Sequence, residues 1–502
     1  MAATLDCDVL IVGTGLVGAV YARHLVAAGL SVVMVDAGPQ LSARPGEHLR
    51  NRYLHQRDLR LYYDALVAHL YPPSVPAAAE PLFPGEAHLP PQAAGGNAVN
   101  PEQDPRRNLP GAAVTYAVGG MGVLWTCLAP RLHPGIERFP FFSPEEWEDL
   151  YARAETDLGV GREAFRGSRR GAALLAQLHA AGQSAELAPV AARRREDDPR
   201  QVHWTGPADL LEPGLEEEAK AGGGGRLRIL AQHVVTRLAH RGGRVRAATV
   251  RSLDPWAEKE IRAEIFVVAA GALLSPQLLW ASGILREDDS PLGRYLHDHP
   301  LAFAQVALSR EIAEVADDPY PFLAIPLAAG RPFHSLLLAD TYDGRLLEGG
   351  LDERLLLNLY WYALAEPRRE NRITWSAERC DLHGLPQPTF HYTLSPEARA
   401  RNREMLADLK EVGGLLGRFL PMAPPQLLPA GRSMHFLGTT RMGPVGDGSA
   451  VVDLDSRVWS FDNLYVGGTG TFPGPTASNP TLTACALALR SVERIVGGRR
   501  RG

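Results

Sequence analysis

The stretch Asp8–Gly18, with the sequence DVLIVGTGLVG, decides the fold of this chain. Residues 8–12 form a short, mostly β-branched apolar run, which predicts a parallel strand buried on both faces. Residues 19–28 carry apolar side chains at helical spacing, and Ser31–Val35 has the pattern of a second buried strand. The chain is therefore predicted to begin with a β-α-β unit.

Three glycines between the first strand and the helix match the dinucleotide-binding fingerprint. Gly13 permits a tight turn, Gly15 lets the backbone approach a pyrophosphate, and Gly18 lets helix and strand pack closely. The helix N-terminus faces the bound anion. Asp36 ends the second strand, where its carboxylate can accept hydrogen bonds from ribose hydroxyls. These residues predict dinucleotide binding; the alternative is a glycine-rich turn that only packs a helix onto a strand.

Similar strand and glycine-turn elements recur far along the chain. The segment IFVVAAGALLSPQLLWASG begins at Ile265, and NLYVGGTG at Asn463 leads towards a final helix. Gly119-Gly120-Met121 is another glycine-rich turn, predicted to follow a strand. NAD needs no second glycine-rich turn at the far end of a chain, whereas the isoalloxazine ring of FAD must be held by distant segments. The sequence therefore favours FAD.

The segments between these elements predict further structure. Residues 144–181 have helical character, residues 301–393 alternate as strands do, and residues 396–419 form another helix. The many prolines between Pro72 and Pro110 exclude a long helix or a central strand, which predicts an extended surface segment or arm.

We expect an α/β fold, α+β overall, because dinucleotide-type elements stand at the start, middle and end of the chain. The FAD-binding domain is predicted to comprise residues 1–135, 202–300 and 432–502. The substrate-binding domain is predicted to comprise residues 136–201 and 301–431, around a largely antiparallel sheet.

Composition argues against several functional classes. A net charge of −5 over 502 residues, without a basic stripe, gives no basis for nucleic acid as a partner. The four cysteines are scattered and form no C-x-x-C pair, so neither a disulfide framework nor a structural zinc site is expected. No apolar stretch reaches the length of a membrane span, and the N-terminus runs directly into a strand without a leader. A soluble, cytoplasmic protein is expected.

Long strings of the sequence resemble one family of oxidoreductases. VVAAG…SPQLLWASG, LGRYLHDHP, HFLGTTRMG and NPTLT resemble the glucose-methanol-choline (GMC) oxidoreductase family. Within it, NPEQDPRRNLPGAAVTYAVGGM and EPRRENR…GLPQPTF are similar to pyranose oxidases, which include a bacterial branch that oxidises glycosides. The resemblance is weakest over residues 62–98 and 162–201. It implies a Rossmann-like FAD-binding domain of the GMC and p-hydroxybenzoate hydroxylase type.

The resemblance implies that the chain oxidises a sugar with FAD. A secondary ring hydroxyl, at C2 or C3 of a pyranose or glycoside, would become a ketone, and O2 (giving H2O2) or a quinone would accept the electrons. Two alternatives stay open: another GMC-type alcohol or sterol oxidoreductase, and a flavin-binding protein without catalysis.

Two residues carry the predicted chemistry. His435, in SMHFLGTTRMG, matches the family's active-site histidine, and Asn479, in SNPTLT, matches its partner. A histidine with a pKa near neutrality suits removal of the hydroxyl proton, and an asparagine can donate a hydrogen bond to the developing alkoxide. Without the flanking motifs, a hydrogen-bonded structural histidine would be the better interpretation.

The resemblance also implies contacts to cofactor and substrate. Thr126 is expected near the reactive edge of the flavin, or else as a hydroxyl satisfied by nearby backbone. Val235 is expected beside the adenine ring, and at the same time as a buried strand residue. Asp340 lies in a segment that corresponds to a mobile substrate loop, although an aspartate in a surface loop is commonplace. The other expected cofactor contacts are Gly119, Gly120, Met121, Ala270, Gly271, Gly468, Thr469, Asn479 and Thr481, and the other expected substrate contacts are Tyr342, Tyr360, His435 and Asn479.

The resemblance also bears on metal binding, FAD attachment, the oxidised ring position and assembly. The tripeptide His297-Asp298-His299 is a family hallmark, so a structural role is expected there and no metal. Leu124 stands where fungal pyranose oxidases attach FAD through a histidine, so non-covalent FAD is expected. Tyr360 replaces an arginine that could aid sugar recognition, which leaves oxidation at C2 and at C3 both open. The short proline-rich stretch replaces much of an assembly arm, so a monomer or weak dimer is expected.

Overall fold

Two seven-stranded sheets organise the computed structural model, which describes residues 4–57, 59–76, 99–198, 201–220, 226–309, 322–338 and 355–499. The helices are α1 Leu16–Ala27, α2 Tyr53–Arg57, α3 Leu59–Ala68, α4 Pro144–Leu158, α5 Arg169–Ala180, α6 Pro207–Lys220, α7 Gly271–Ala281, α8 Pro396–Leu416 and α9 Thr481–Arg499. The strands are β1 Thr4–Val12, β2 Val32–Val35, β3 Val75–Pro76, β4 Val99–Asn100, β5 Val160–Gly161, β6 Glu186–Leu187, β7 Val190–Arg194, β8 Val202–Trp204, β9 Leu227–Leu230, β10 His233–Arg241, β11 Arg244–Leu253, β12 Trp256–Val268, β13 Leu301–Leu308, β14 Phe322–Ile325, β15 Phe333–Leu338, β16 Leu356–Ala363, β17 Arg372–Cys380, β18 Pro386–His391, β19 Gly417–Phe419, β20 Gln426–Leu427 and β21 Leu464–Val466.

The first sheet has the order β10-β11-β12-β1-β2-β9, and β21 also pairs with β12. The strands β21, β12, β1, β2 and β9 run parallel, whereas β10, β11 and β12 form an antiparallel extension. Val9, Leu10 and Ile11 of β1 are fully buried, as expected of an inner parallel strand. The predicted β-α-β unit is confirmed, and its helix α1 packs against α6 and α9.

The second sheet has the order β19-β13-β16-β15-β14-β6, with β20 also paired to β13. All of these pairings are antiparallel, so the predicted antiparallel sheet is confirmed. The long helix α8 packs on β13 and β16 and closes a separate apolar core around Trp361 and Met405. The boundaries between the two predicted domains stay a prediction.

Helices α4 and α8 begin at the same local signal, Ser-Pro-Glu. Ser143 accepts a hydrogen bond from the Glu146 amide, and Ser395 accepts one from the Ala398 amide. Each serine satisfies an amide that the first helical turn leaves unpaired, and the proline that follows needs no partner there.

Two sequence predictions about local structure are wrong. The helix predicted to reach residue 419 ends at Leu416, because residues 417–419 pair with β13; a Cβ on Gly417 would lie 2.0 Å from the Ala307 carbonyl oxygen. No strand directly precedes Gly119: Val114 makes only a single bridge, to Tyr71. A 3-10 turn follows Gly119 instead, since Gly119 and Gly120 have φ angles of 102° and 51°.

The proline-rich stretch is described only at its two ends. Residues 77–98, the centre of the predicted arm, lie outside the described residues. The C-terminal end runs along the surface, where most of residues 101–107 are exposed, and it is anchored because Asn100 and Gln103 are buried against the two-stranded ribbon β17–β18. Asn100 Nδ2 donates to the Pro388 carbonyl at 3.0 Å, and Gln103 exchanges two hydrogen bonds with the Phe390 backbone.

Two further properties of the described ranges bear on the expectations. All four cysteines are free thiols. Within these ranges, none of the helices combines the length and the apolar character that crossing a membrane requires.

Candidate active site

A cavity lies at the carboxyl ends of the parallel strands of the first sheet. Its walls come from the turns that follow β1, β2, β12 and β21, together with the 3-10 turn after Gly119 and the start of α9. Ligands of doubly wound α/β folds bind at this edge of the sheet. Of the residues predicted to contact the cofactor or to catalyse, those lining the cavity are Gly13, Gly15, Asp36, Gly120, Met121, Val235, Ala270, Gly271, His435, Gly468, Thr469 and Thr481.

The fingerprint glycines have different surroundings. Gly13 has a φ of 101°, and a Cβ there would lie 2.5 Å from the Ala269 carbonyl oxygen. A Cβ on Gly18 would lie 2.3 Å from the Gly13 carbonyl oxygen, so α1 can approach β1 only with glycine here. The nearest atom to a Cβ on Gly15 is 3.8 Å away, because this residue faces the cavity at the start of α1.

A threonine inside the fingerprint connects three segments of the cavity wall. The Thr14 hydroxyl donates to Asp36 Oδ2 at 2.6 Å and accepts from the Gly119 amide at 2.7 Å. Asp36 also accepts from the Gly38 amide at 2.9 Å. Burial raises the pKa of Asp36 to about 6, although these hydrogen bonds lower it. Thr14 occupies a variable position of the G-x-G-x-x-G pattern, so the pattern does not predict its role.

His435 lines this cavity, whereas Asn479 is not among the lining residues and lies beside His435. Asn479 Nδ2 is 3.3 Å from His435 Nε2, although 44 residues separate them in the sequence. Asn479 directly precedes Pro480 and α9, whose first turn also lines the cavity. Burial, and to a smaller extent the charge of His334, lower the pKa of His435 to about 3. This pKa is lower than the near-neutral value expected from the sequence, because burial disfavours the charged imidazolium. At neutral pH the imidazole is uncharged, so one ring nitrogen is free of a proton.

A second histidine lies behind His435. His299 Nδ1 is 3.0 Å from His435 Nδ1, and His299 Nε2 is 2.8 Å from the Thr476 hydroxyl. Burial lowers the pKa of His299 well below its usual value, so it is neutral as well. We call His299, His435, Thr476 and Asn479 the catalytic corner.

These hydrogen bonds assign the proton positions in the catalytic corner. Because the Asn479 amide donates to His435 Nε2, that nitrogen is an acceptor and Nδ1 carries the proton. His435 Nδ1–H then donates to His299 Nδ1, and His299 Nε2–H donates to Thr476. The basic nitrogen of His435 is thereby on the side of Asn479.

The other members of the His297-Asp298-His299 tripeptide have separate partners. Asp298 Oδ1 accepts from the His435 amide at 2.8 Å and from the Ser433 hydroxyl at 2.6 Å. Burial raises the pKa of Asp298 to about 7, although these hydrogen bonds lower it. His297 Nδ1 is bonded to the Tyr295 carbonyl at 2.7 Å. Within the described ranges, no three acidic, histidine or cysteine side chains are arranged to hold a metal.

The remaining predicted residues lie less directly on the cavity. Gly18 and Gly119 pack behind its wall, and Thr126 is exposed beside Trp125, which lines it. The ring of Tyr360, on β16, lies 5.1 Å from that of Phe303. Asp340 and Tyr342 lie outside the described residues.

One residue that lines the cavity, His383, is not predicted from the sequence and has unsatisfied polar atoms. His383 lines the cavity with its ring edge-on to Tyr116, at 4.4 Å between ring centroids. Both of its ring nitrogens are buried without a hydrogen-bond partner in the described part of the chain. Buried polar atoms of this kind are usually satisfied by a ligand or by water, so the wall fits a cofactor with polar groups.

Comparison with known proteins agrees with this geometry. Models of the GMC oxidoreductase family match residues 137–301 and 367–488. The pyranose 2-oxidase of Lyophyllum shimeji is 32% identical over 568 residues, which cover 97% of this chain and 91% of that protein. This chain belongs to the GMC oxidoreductase family. The family implies a flavin cofactor for this GMC oxidoreductase.

Two further proteins are similar over nearly the whole length of this GMC oxidoreductase. The C-glycoside 3-oxidase of Microbacterium trichothecenolyticum is 31% identical, over 97% of this chain and 96% of its own. The crystal structure of pyridoxine 4-oxidase from Mesorbium loti superposes with a TM-score of 0.65 at 18% identity, over 97% of this chain and 99% of that one. The latter likeness concerns the fold.

Proposed function

We propose that this enzyme oxidises a secondary ring hydroxyl of a pyranose or glycoside, at C2 or C3, to a ketone. The observation that carries the proposal is the contact of Asn479 with His435, which itself lines the dinucleotide cavity. The similarity to a pyranose 2-oxidase and a C-glycoside 3-oxidase supports a sugar as the substrate and leaves both ring positions open. The acceptor is O2, with H2O2 as product, or a quinone.

FAD is the cofactor that the cavity fits. The amide ends of α1, beyond Gly15, suit the pyrophosphate, and the Asp36 carboxylate suits the ribose. Val235, which is expected beside the adenine ring, lines the cavity, and so do Gly468, Thr469, the start of α9 and His435.

The FAD is held without a covalent bond. Leu124, at the position of the expected attachment residue, is 4% exposed and packs with Leu49, Tyr62 and Val123, so it offers the cavity no nucleophile. Acid precipitation should therefore release all the yellow colour into the supernatant; colour that stays in the pellet contradicts this.

The chain's own residues supply the acid-base chemistry. Flavin, held by the cavity wall, would supply the acceptor for the hydride, and with it two electrons, from the carbinol carbon. His435 Nε2 accepts the hydroxyl proton as the C–O bond becomes a carbonyl, and the Asn479 amide donates a hydrogen bond to the oxygen as its negative charge develops. His299 keeps the other proton of His435 on Nδ1, and Asp298 holds the His435 backbone in place.

The experiment that tests the proposal is an anaerobic titration of the purified flavoprotein. Glucose, a glycoside and a hydrophobic alcohol are added separately while the flavin absorbance is recorded. Bleaching by a sugar supports the proposal; bleaching only by the hydrophobic alcohol favours the alternative of another GMC-type alcohol oxidase. The same sample in a light-scattering measurement tests the expected monomer or weak dimer, since a stable tetramer would have four times the 54.4 kDa chain mass.

A further inference from the structure

A buried carboxylate that does not line the cavity bonds to the backbone that precedes Asn479. Glu137 is 2% exposed, and its Oε1 accepts from the Ala477 amide at 2.7 Å and from the Ser478 amide at 2.8 Å. Its Oε2 accepts from the Ser478 hydroxyl and the His133 amide, both at 2.8 Å. The carboxylate therefore accepts four hydrogen bonds, three of them from the two residues next to Asn479.

Such a carboxylate fixes the backbone more firmly than a neutral group could. A carboxylate has only acceptor sites, and hydrogen bonds to an ionised acceptor are about twice as strong as neutral ones. Ala477 and Ser478 stand 340 and 341 residues from Glu137, so the contact ties two distant segments together. The side chain of Asn479 starts from this fixed backbone and reaches His435 Nε2 at 3.3 Å.

The arrangement has a counterpart on the other side of the catalytic corner. Asp298 is 3% exposed and accepts from the His435 amide, the Gly431 amide and the Ser433 hydroxyl. Each member of the pair thus has its own buried carboxylate bonded to its backbone or to that of its immediate neighbours.

We infer that Glu137 is a positioning residue for sugar oxidation, which acts by holding Asn479 against His435. The expected effect on the rate of sugar oxidation rests on the proposed function. The expected effect on the position of Asn479 rests on the hydrogen bonds alone. Glu137→Gln keeps the size of the side chain but replaces one acceptor oxygen by an NH2 group. This group would face N–H or O–H donors and could not accept their hydrogen bonds.

A double-mutant cycle in the flavin-loaded enzyme separates this role from a general effect on folding. Glu137→Gln, Asn479→Ala and the double variant are mixed anaerobically with glucose and with methyl β-D-glucoside, and flavin bleaching is followed by stopped flow. We expect Glu137→Gln alone to slow bleaching about tenfold or more, as for loss of one or two buried hydrogen bonds. In the Asn479→Ala background the same change should alter the rate by less than about twofold, because the group that Glu137 positions is gone.

Ser478→Ala provides a second variant in case Glu137→Gln folds poorly. It removes only the hydroxyl bond to Oε2 and should slow bleaching less than Glu137→Gln, again with no further effect in the Asn479→Ala background. Glu148→Gln is the matched control: this exposed glutamate of α4 pairs with Arg138 at 2.7 Å and should leave the bleaching rate unchanged.

The outcomes distinguish the two proposals. If a sugar bleaches the parent enzyme and the slowing caused by Glu137→Gln and by Ser478→Ala is equally large with and without Asn479, Glu137 is only structural and the inference is overturned. If no sugar bleaches the parent, the proposed function fails, and a crystal structure of Glu137→Gln decides the inference by itself. A longer distance from Asn479 Nδ2 to His435 Nε2 supports it, and an unchanged 3.3 Å distance overturns it.

Discussion

The dinucleotide cavity and the catalytic corner meet at His435, yet the sequence specifies them in different ways. The cavity wall is made of backbone turns directly after strands, and local motifs such as Gly13-x-Gly15 encode them. The corner is made of side chains from distant segments: His299 and His435 are 136 residues apart. A few glycines can therefore form a cofactor site, whereas an acid-base site also requires long-range hydrogen bonds.

This difference predicts separable phenotypes. Substitutions in the corner should slow flavin reduction while FAD stays bound, and substitutions in the cavity wall should weaken FAD binding.

The largest effect is expected for the catalytic pair. His435→Ala removes the base and should slow flavin bleaching by about 10²–10⁴, and Asn479→Ala should slow it by about 10²–10³. Because both act on one alkoxide, the double variant should be far less impaired than the product of the single effects. Anaerobic stopped flow is the assay. The flavin absorbance of each purified variant, compared with that of the parent, checks that FAD is retained. A His435→Ala enzyme that remains folded and yellow and bleaches at the parental rate would place the base elsewhere.

The next effect concerns the cavity wall. Asp36→Ala should weaken FAD binding by about 1–3 kcal/mol, because charge-assisted bonds to the ribose are lost. Fluorescence titration of the deflavinated protein measures the dissociation constant. Asp8→Ala is a suitable control. Asp8 bonds to Ser31, which directly precedes β2 at the end away from Asp36, and Asp8 does not line the cavity. Equal affinities for parent and Asp36→Ala would show that Asp36 only ends a strand.

The same contrast explains how much the sequence alone could predict. Periodicity and glycine spacing predicted β1, α1 and β2, because each of these elements is encoded within a short window. The strand β19 was missed because helical spacing continues into Gly417, and only pairing with β13 reveals the strand.

In the site, the family motifs pointed to His435 and Asn479, whereas the hydrogen-bonding roles of other buried polar side chains were not predicted. Thr14, Glu137 and His299 act through hydrogen bonds to residues between 22 and 341 positions away. A single sequence carries no signal for such contacts. Buried polar residues inside family motifs, such as His299, were the nearest indication.

A smaller effect is expected for His299. His299→Leu removes the acceptor for His435 Nδ1–H and should slow bleaching about tenfold, the cost of one buried hydrogen-bond partner. His299→Asn places an amide oxygen near the former Nδ1 and should restore most of the rate. The control is His391→Asn, which breaks a similar histidine–threonine bond, to Thr374, on the β17–β18 ribbon. Equal slowing by His299→Leu and His299→Asn would show that His299 does not determine which nitrogen of His435 carries the proton.

The smallest effect is expected on pH. The pKa of His435 is lowered to about 3, so its basic form is fully present above that value and is lost only as the pH falls through it. In Asp298→Asn the bleaching rate should therefore be flat from pH 8 to pH 5, whereas an unshifted histidine with a pKa near 6.5 would lose about 30-fold by pH 5. Asp298, with its pKa raised to about 7, titrates in the same range. A slope that persists in Asp298→Asn would contradict the neutral His435.

The central claim is that hydride leaves a secondary ring carbon of a sugar while His435 takes the hydroxyl proton. The most direct test is anaerobic bleaching with glucose, and with methyl β-D-glucoside, deuterated either at C2 or at C3. One of the two positions should give a primary isotope effect on the bleaching rate and the other none, which also fixes the site of oxidation. Bleaching at unchanged rates with both labels, in an enzyme whose chemical step limits reduction, would contradict the account.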